Sequence, residues 1–180
     1  MRYLAGLAIM LLAPALMLSG CNNSGSMESK KESASTTLKA AVLEACGLIS
    51  KSEAETLLGE PVMDAEKSQQ EVVGMKLCLY NPVNTDSWGF LQVTLTQQSF
   101  MPPGGLAPSE LFHSIQKAMS DSRTDIEGIG DEAFIATGGL YILKDEYYIT
   151  IGAGNIDRQD IQQRLKSAGS IAIKNLEALR

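Results

Sequence analysis

Leu91-Gln92-Val93-Thr94-Leu95-Thr96-Gln97 is the stretch whose reading decides the fold. Apolar and polar residues alternate through it, so Leu91, Val93 and Leu95 face one way and Gln92, Thr94 and Thr96 the other. Successive side chains of extended backbone point to opposite faces of a sheet, so this period of two marks a half-buried strand. The strand is expected from Trp88 to Gln97, and one apolar face per strand favours antiparallel pairing.

Working outward, Gly74 to Tyr80 alternates too, with Met75, Leu77 and Leu79 on one face, and Asn81-Pro82 ends it as a turn. Pro61 to Glu66 reads as a further strand. Before it, Ser50-Lys51-Ser52-Glu53 fits a capping box, and Leu57, Leu58 and a stop at Gly59 complete a short helix over 50–58. On the other side, Pro102-Pro103-Gly104-Gly105 interrupts the sheet. Pro108-Ser109 then opens a helix to about Ser120, striped by Leu111, Phe112, Ile115 and Met119. Asp131 to Thr137, Leu140 to Leu143 and Tyr147 to Ile151 read as strands, the last two joined by Lys144-Asp145-Glu146. Ile161, Leu165, Ala168, Ala172 and Leu176 recur at helical spacing and predict a terminal helix over about 158–177.

The order is α-βββ-α-βββ-α. It predicts an α+β domain, an antiparallel sheet of about six strands with helices packed on one face. Short connections argue against βαβ crossovers. The two helix-plus-three-strand blocks invite the idea of a duplication, but their residues match poorly.

The N-terminus carries a different signal. Arg2 precedes an apolar run from Leu4 to Leu18, and Leu18-Ser19-Gly20-Cys21 resembles a bacterial lipobox. The alternative is a retained membrane span. The run is at the short limit for spanning, contains Pro14, and is followed by a polar Ser-rich segment without a basic cluster. The resemblance implies a signal peptide over 1–20 and a Cys21 carrying a diacylglycerol and an N-acyl chain. At about 0.8 kcal/mol per buried CH₂, such an anchor is effectively permanent. Asn22 stands where an aspartate often retains such proteins at the inner membrane. That implies the outer membrane, facing the periplasm, in a Gram-negative cell; in a Gram-positive cell it implies the outer face of the plasma membrane. Residues 21–39 are polar and read as the lipidated cysteine plus a tether reaching roughly 20–25 Å. Residues 40–180 form the single domain.

The chain has 15 Lys+Arg against 21 Asp+Glu, net −6, and removing Arg2 with the signal makes it more negative. The acids are scattered, a solvated surface without the basic footprint of a nucleic-acid binder. Of the three cysteines, an acylated Cys21 leaves Cys46 and Cys78 as an even pair in an oxidising compartment. A disulfide between them is favoured over two free buried thiols or half a metal site. A CxxC spacing is absent and there is one histidine, so zinc has little support. No other metal and no cofactor is expected.

No catalytic residues are assigned. The lone histidine, His113, lies beside Glu110, Gln116 and Lys117 on its helix, away from the apolar stripe, and reads as solvent-facing. No serine sits in a nucleophile elbow. Gly128-Ile129-Gly130-Asp131-Glu132-Ala133-Phe134 fails the GxGxxG pattern and precedes a strand, not a helix. Asp131 and Glu132 would also repel an anion and, as neighbours on a strand, point to opposite faces. The string reads as a glycine-assisted turn with Phe134 packed inward. Asp125, Glu127 and Asp131 lack the ordered DxDxDG calcium ladder. Trp88, Phe90, Tyr141, Tyr147 and Tyr148 are expected mostly in the core or on the sheet, with one of the adjacent tyrosines exposed. The apolar Phe100 to Leu106 loop is a candidate binding edge.

Cys46-Gly47-Leu48-Ile49-Ser50, Leu58-Gly59-Glu60-Pro61, Cys78-Leu79-Tyr80 and Gly128 to Phe134 together resemble a broad group of uncharacterised bacterial envelope lipoproteins. The resemblance implies the disulfide and the α+β domain, and transfers no catalytic residue. The expected function is a lipid-anchored, non-enzymatic envelope domain that binds a protein or a small ligand. The alternatives are an envelope hydrolase with two carboxylates across a cleft, roughly 5–9.5 Å apart, and a structural component of an outer-membrane assembly.

Overall fold

The computed structural model describes residues 41–180. The expected signal peptide, the lipidated Cys21 and the tether to residue 39 lie outside the described residues. Helix α1, Lys51–Leu58, is followed by strands β1, Glu66–Gln70, β2, Met75–Tyr80, and β3, Leu91–Gln97. Helix α2, Pro108–Ala118, leads to β4, Thr124–Asp125, β5, Glu132–Ala136, β6, Gly139–Lys144, and β7, Tyr147–Gly152. Helix α3, Gln159–Leu179, closes the chain.

The seven strands make one sheet in the order β1-β2-β3-β7-β6-β5-β4, antiparallel at every pairing. Two meanders run inward from opposite edges and meet at β3 and β7, where Val93 lies opposite Ile151 and Leu95 opposite Ile149. The α+β class therefore holds, with seven strands where the sequence predicts about six. The additional strand is β4, two residues that pair with Ile135 and Phe134. The strand expected over 61–66 is displaced: β1 begins only at Glu66, while Val62 makes an isolated bridge to Pro82.

Caps and stripes explain the helices. The Ser50 hydroxyl accepts from the Glu53 N–H, the Glu53 carboxylate accepts from the Ser50 N–H at 2.8 Å, and Gly59 ends α1 in the left-handed region. Pro108 opens α2, and the Glu110 carboxylate accepts the Ala107 N–H at 2.8 Å. The α3 stripe Ile161, Leu165, Ala168, Ala172 and Leu176 is buried throughout. Gly169 lets α3 sit close to the sheet: a Cβ there would come within 2.6 Å of the Leu140 side chain.

The helices do not share one face, contrary to the expectation. α1 and α3 cover the face bearing Cys78, Tyr80, Val93, Leu95, Leu140, Ile142, Ile149 and Ile151. α2 covers the other, packing Phe112, with Leu111, Ile115 and Met119, on Phe134, Ala136, Tyr141, Leu143 and Tyr148. The cause is aromatic residues in the second parity of β5, β6 and β7, which need cover of their own. Phe134 and Tyr141 stack at 4.8 Å between ring centroids. Burial pushes the Tyr148 phenol up to about 12. Tyr147 and Tyr148 point to opposite faces and both are buried, at 4% and 8% exposure, so neither is the exposed tyrosine expected. With α1 and α2 on opposite faces, the two halves are not superposable copies.

Three ties fasten the start of the described chain to this sheet, one of them the ion pair of Glu44 with Lys76 on β2. Cys46 and Cys78 form a disulfide with Cα atoms 5.1 Å apart. The pair is thus neither free thiols nor half a metal site. Upstream, the buried Gln97 side chain takes the Leu43 N–H on Oε1 and gives Nε2–H to the Leu43 carbonyl, both at 2.8 Å.

Candidate functional site

Four segments converge beyond the Leu91 end of β3. The C-terminus of α1 brings Leu58 and Glu60, the approach to β3 brings Trp88 and Gly89, and the exit from β7 brings Ala153 to Asn155. The first turns of α3 add Arg158, Asp160, Ile161 and Arg164. Together they line an open cleft of about 420 Å³, within the roughly 300–1,000 Å³ usual for small-molecule sites.

Trp88 is the feature the sequence misplaces. It was expected at the start of a strand, in the core or on the sheet, but β3 begins at Leu91 and Trp88 is 97% exposed. Its backbone is nonetheless held. The Ser87 hydroxyl donates to Glu60 Oε1 at 2.6 Å and accepts the Gly89 N–H at 3.2 Å. The Ser87 N–H in turn donates to the Asn84 carbonyl at 3.1 Å. A large apolar ring is thus displayed on a pinned loop at the rim of a cleft, an arrangement typical of a contact surface.

The charges around the cleft are unevenly satisfied. Arg158 binds both oxygens of Asp160, Nε to Oδ1 at 3.0 Å and an Nη to Oδ2 at 2.7 Å. That pairing holds the Asp160 carboxyl below the usual carboxylate range. Glu60 is engaged by Ser87. Arg164 uses its Nε–H on the Leu57 carbonyl at 2.9 Å, at the C-terminal end of α1. Among the described residues it forms no ion pair. Its terminal amino groups therefore keep donors that no acceptor among the described residues takes up, although two arginines and two carboxylates leave the lining neutral overall.

The candidates singled out by sequence lie elsewhere. His113 is half exposed, on α2, with Nε2 2.9 Å from Glu132 Oε1. In the Gly128 to Phe134 string, Gly130 (φ 66°) passes so close to β6 that a Cβ would come within 2.6 Å of the Leu143 carbonyl. Asp131 takes the Asp145 N–H at 2.7 Å and Lys144 Nζ at 2.9 Å, tying down the β6–β7 turn. Phe134 is fully buried. The string is thus a structural corner, as the turn reading expected, and Asp131 and Glu132 do diverge. Asp125 pairs with Arg123, and among the described residues no three His, Cys, Asp or Glu side chains are placed to hold a metal. In the Phe100 to Leu106 loop, Met101 is buried and Leu106 exposed. Among the described residues no helix is long and apolar enough to cross a membrane.

The corner carries a pH dependence. The Asp145 N–H and then Lys144 hold the Asp131 carboxyl below its ordinary range, and the bond to His113 chiefly does the same for Glu132. A lowered carboxylate pKa stabilises the fold above the unfolded value, and that stability is lost as pH falls through the folded value. Both groups are nearly half exposed, so each contributes below about 1 kcal/mol. Urea midpoints should therefore fall between about pH 4.5 and 3, and Glu132→Gln should lower the neutral midpoint while reducing the acid loss. An unchanged profile in E132Q would exclude this role.

Comparison of the chain with protein-family models, with curated proteins and with solved structures finds no match.

Proposed function

We propose that this protein is a lipid-anchored, non-enzymatic binding domain of the bacterial cell envelope, acylated at Cys21, with the Trp88 cleft as its binding site. The observation that carries the binding reading is the pinned display of an almost fully exposed Trp88 at the rim of that cleft. Its placement supports the reading. The chain comes in at the Gln97 end of β3, where Gln97 holds Leu43, while the cleft lies beyond the Leu91 end. Seven residues of strand separate the two, about 20 Å of extended backbone. The described chain thus begins at the end of the domain opposite the cleft.

Two measurements test this. Cys21→Ser should abolish incorporation of labelled palmitate and release the protein from the membrane fraction. A photocrosslinking residue at position 88 should give a specific adduct in intact cells, and the same residue at exposed Gln69 should not. Identical labelling from both positions would remove the cleft from the proposal.

One observation favours hydrolysis as a second reading: two carboxylates, Glu60 and Asp160, line the same cleft. Against it, both Asp160 oxygens are taken up by Arg158, a pairing that competes with use of this carboxylate as base or nucleophile. Release of reducing ends from isolated cell-wall material, abolished by Glu60→Gln, would establish hydrolysis instead.

A further inference from the structure

We infer that the cleft binds a singly charged, carboxylate-bearing sugar, with the carboxylate on Arg164 and a ring face on Trp88. The inference rests on the binding reading above and names the class of ligand for that site.

The charge follows from what is already paired. Asp160 is neutralised by Arg158, and Glu60 is held by Ser87, leaving Arg164 as the cation with free donors. With Nε–H spent on the Leu57 carbonyl, the guanidinium keeps its two terminal amino groups. That is a fork matched to the two oxygens of a carboxylate. With Arg158 and Arg164 set against Glu60 and Asp160 the lining is neutral overall, so the second charge of a dianion such as a phosphate monoester adds only repulsion, in a protein of net charge −6. A monoanion seated on the Arg164 fork is therefore favoured over a dianion, whose second charge meets no free cation.

The ring follows from Trp88. Its exposed indole offers a flat apolar face beside polar lining from Glu60, Asn155 and Asp160. A purely apolar ligand would strip water from these groups without replacing their hydrogen bonds. A pyranose matches both demands: its C–H face covers the indole, and its hydroxyls donate to carboxylate and amide oxygens. The volume is in the small-ligand range, so a short saccharide fits better than a folded partner.

The chain has one tryptophan, so intrinsic indole emission reports this cleft alone. The full chain in detergent micelles is titrated with trigalacturonate reduced to a single carboxylate, with the wholly neutral trisaccharide, and with galactose 1-phosphate. The monocarboxylate should shift Trp88 emission saturably, at least tenfold more tightly than the neutral sugar or the phosphate. Arg164→Gln should erase that preference, and Trp88→Phe, followed by calorimetry, should weaken binding about tenfold or less. Arg164→Lys separates the fork from mere charge and should recover only part of the affinity. Equal binding of neutral and carboxylated sugars overturns the role of Arg164. Preference for the phosphate overturns the single-charge argument. Absence of all saccharide binding overturns the inference, and a specific crosslink from position 88 would then still uphold a binding cleft for another ligand.

Discussion

Replacing the Cys46–Cys78 bridge with two alanines should lower the unfolding free energy by about 3–4 kcal/mol, the chain-entropy value for a loop of this length. The bridge spans a sequence separation of 32. It joins the 3₁₀ turn Ala45–Gly47 to β2, so the unfolded chain loses a large closed loop when it goes. Cys78 is fully buried on the α1–α3 face, and truncating it adds a small packing loss. Reduction of the wild-type protein separates the two contributions, because it opens the loop and keeps both sulfurs. The reduced protein should have a urea midpoint slightly above that of C46A/C78A and far below the oxidised form, with a steeper denaturant dependence because the unbridged denatured chain is less compact and exposes more surface. A midpoint unmoved by reduction would show that the bridge contributes nothing to stability.

Phe112→Ala should be the most damaging single truncation on the opposite face, at about 3–5 kcal/mol. Phe112 is completely buried, and its ring lies 5.3 Å from Phe134 and 5.8 Å from Tyr148, centroid to centroid. Its loss leaves α2 with Leu111, Ile115 and Met119, all only partly buried. Phe112→Leu, closer in volume, should cost less than half as much. The near-ultraviolet circular dichroism of the tyrosines should weaken in F112A, and Trp88 emission should stay unchanged, because the cleft is built by α1, α3 and loops. A cost below about 1 kcal/mol would mean that α2 is held by its termini and not by this ring.

The sequence is most legible where local rules and burial agree. Ser50 and Glu53 announce α1 because a capping box is a local device, and the α3 stripe is readable because every member meets the sheet. β1 is illegible for the opposite reason. Glu66 to Gln70 is polar and exposed throughout, and only its ladder with β2 makes it a strand. The two residues of β4 are too few to carry a period. The side taken by α2 was hidden because Leu91 to Gln97 shows a polar second face, whereas Phe134, Tyr141 and Tyr148 make that same face apolar across the sheet. Of the site, almost nothing was readable. Leu58, Trp88, Gly154 and Arg164 come together only through the return of α3 past α1, and no spacing in the chain connects them.

The Gln97 clamp gives the domain a mechanical character. Any pull arriving along the backbone at Ala41 meets the Ser99 hydroxyl on the Ala41 carbonyl, then the paired bonds between Leu43 and Gln97, and then the Glu44–Lys76 ion pair and the covalent bridge at Cys46. Gln97 belongs to a central strand, zipped to β2 on one side and β7 on the other. The load therefore enters the middle of the sheet, where many bonds share it. It does not enter the exposed edge β1, which would peel one bond at a time. The cleft lies beyond the far end of that strand, past the ladder bonds that share the load.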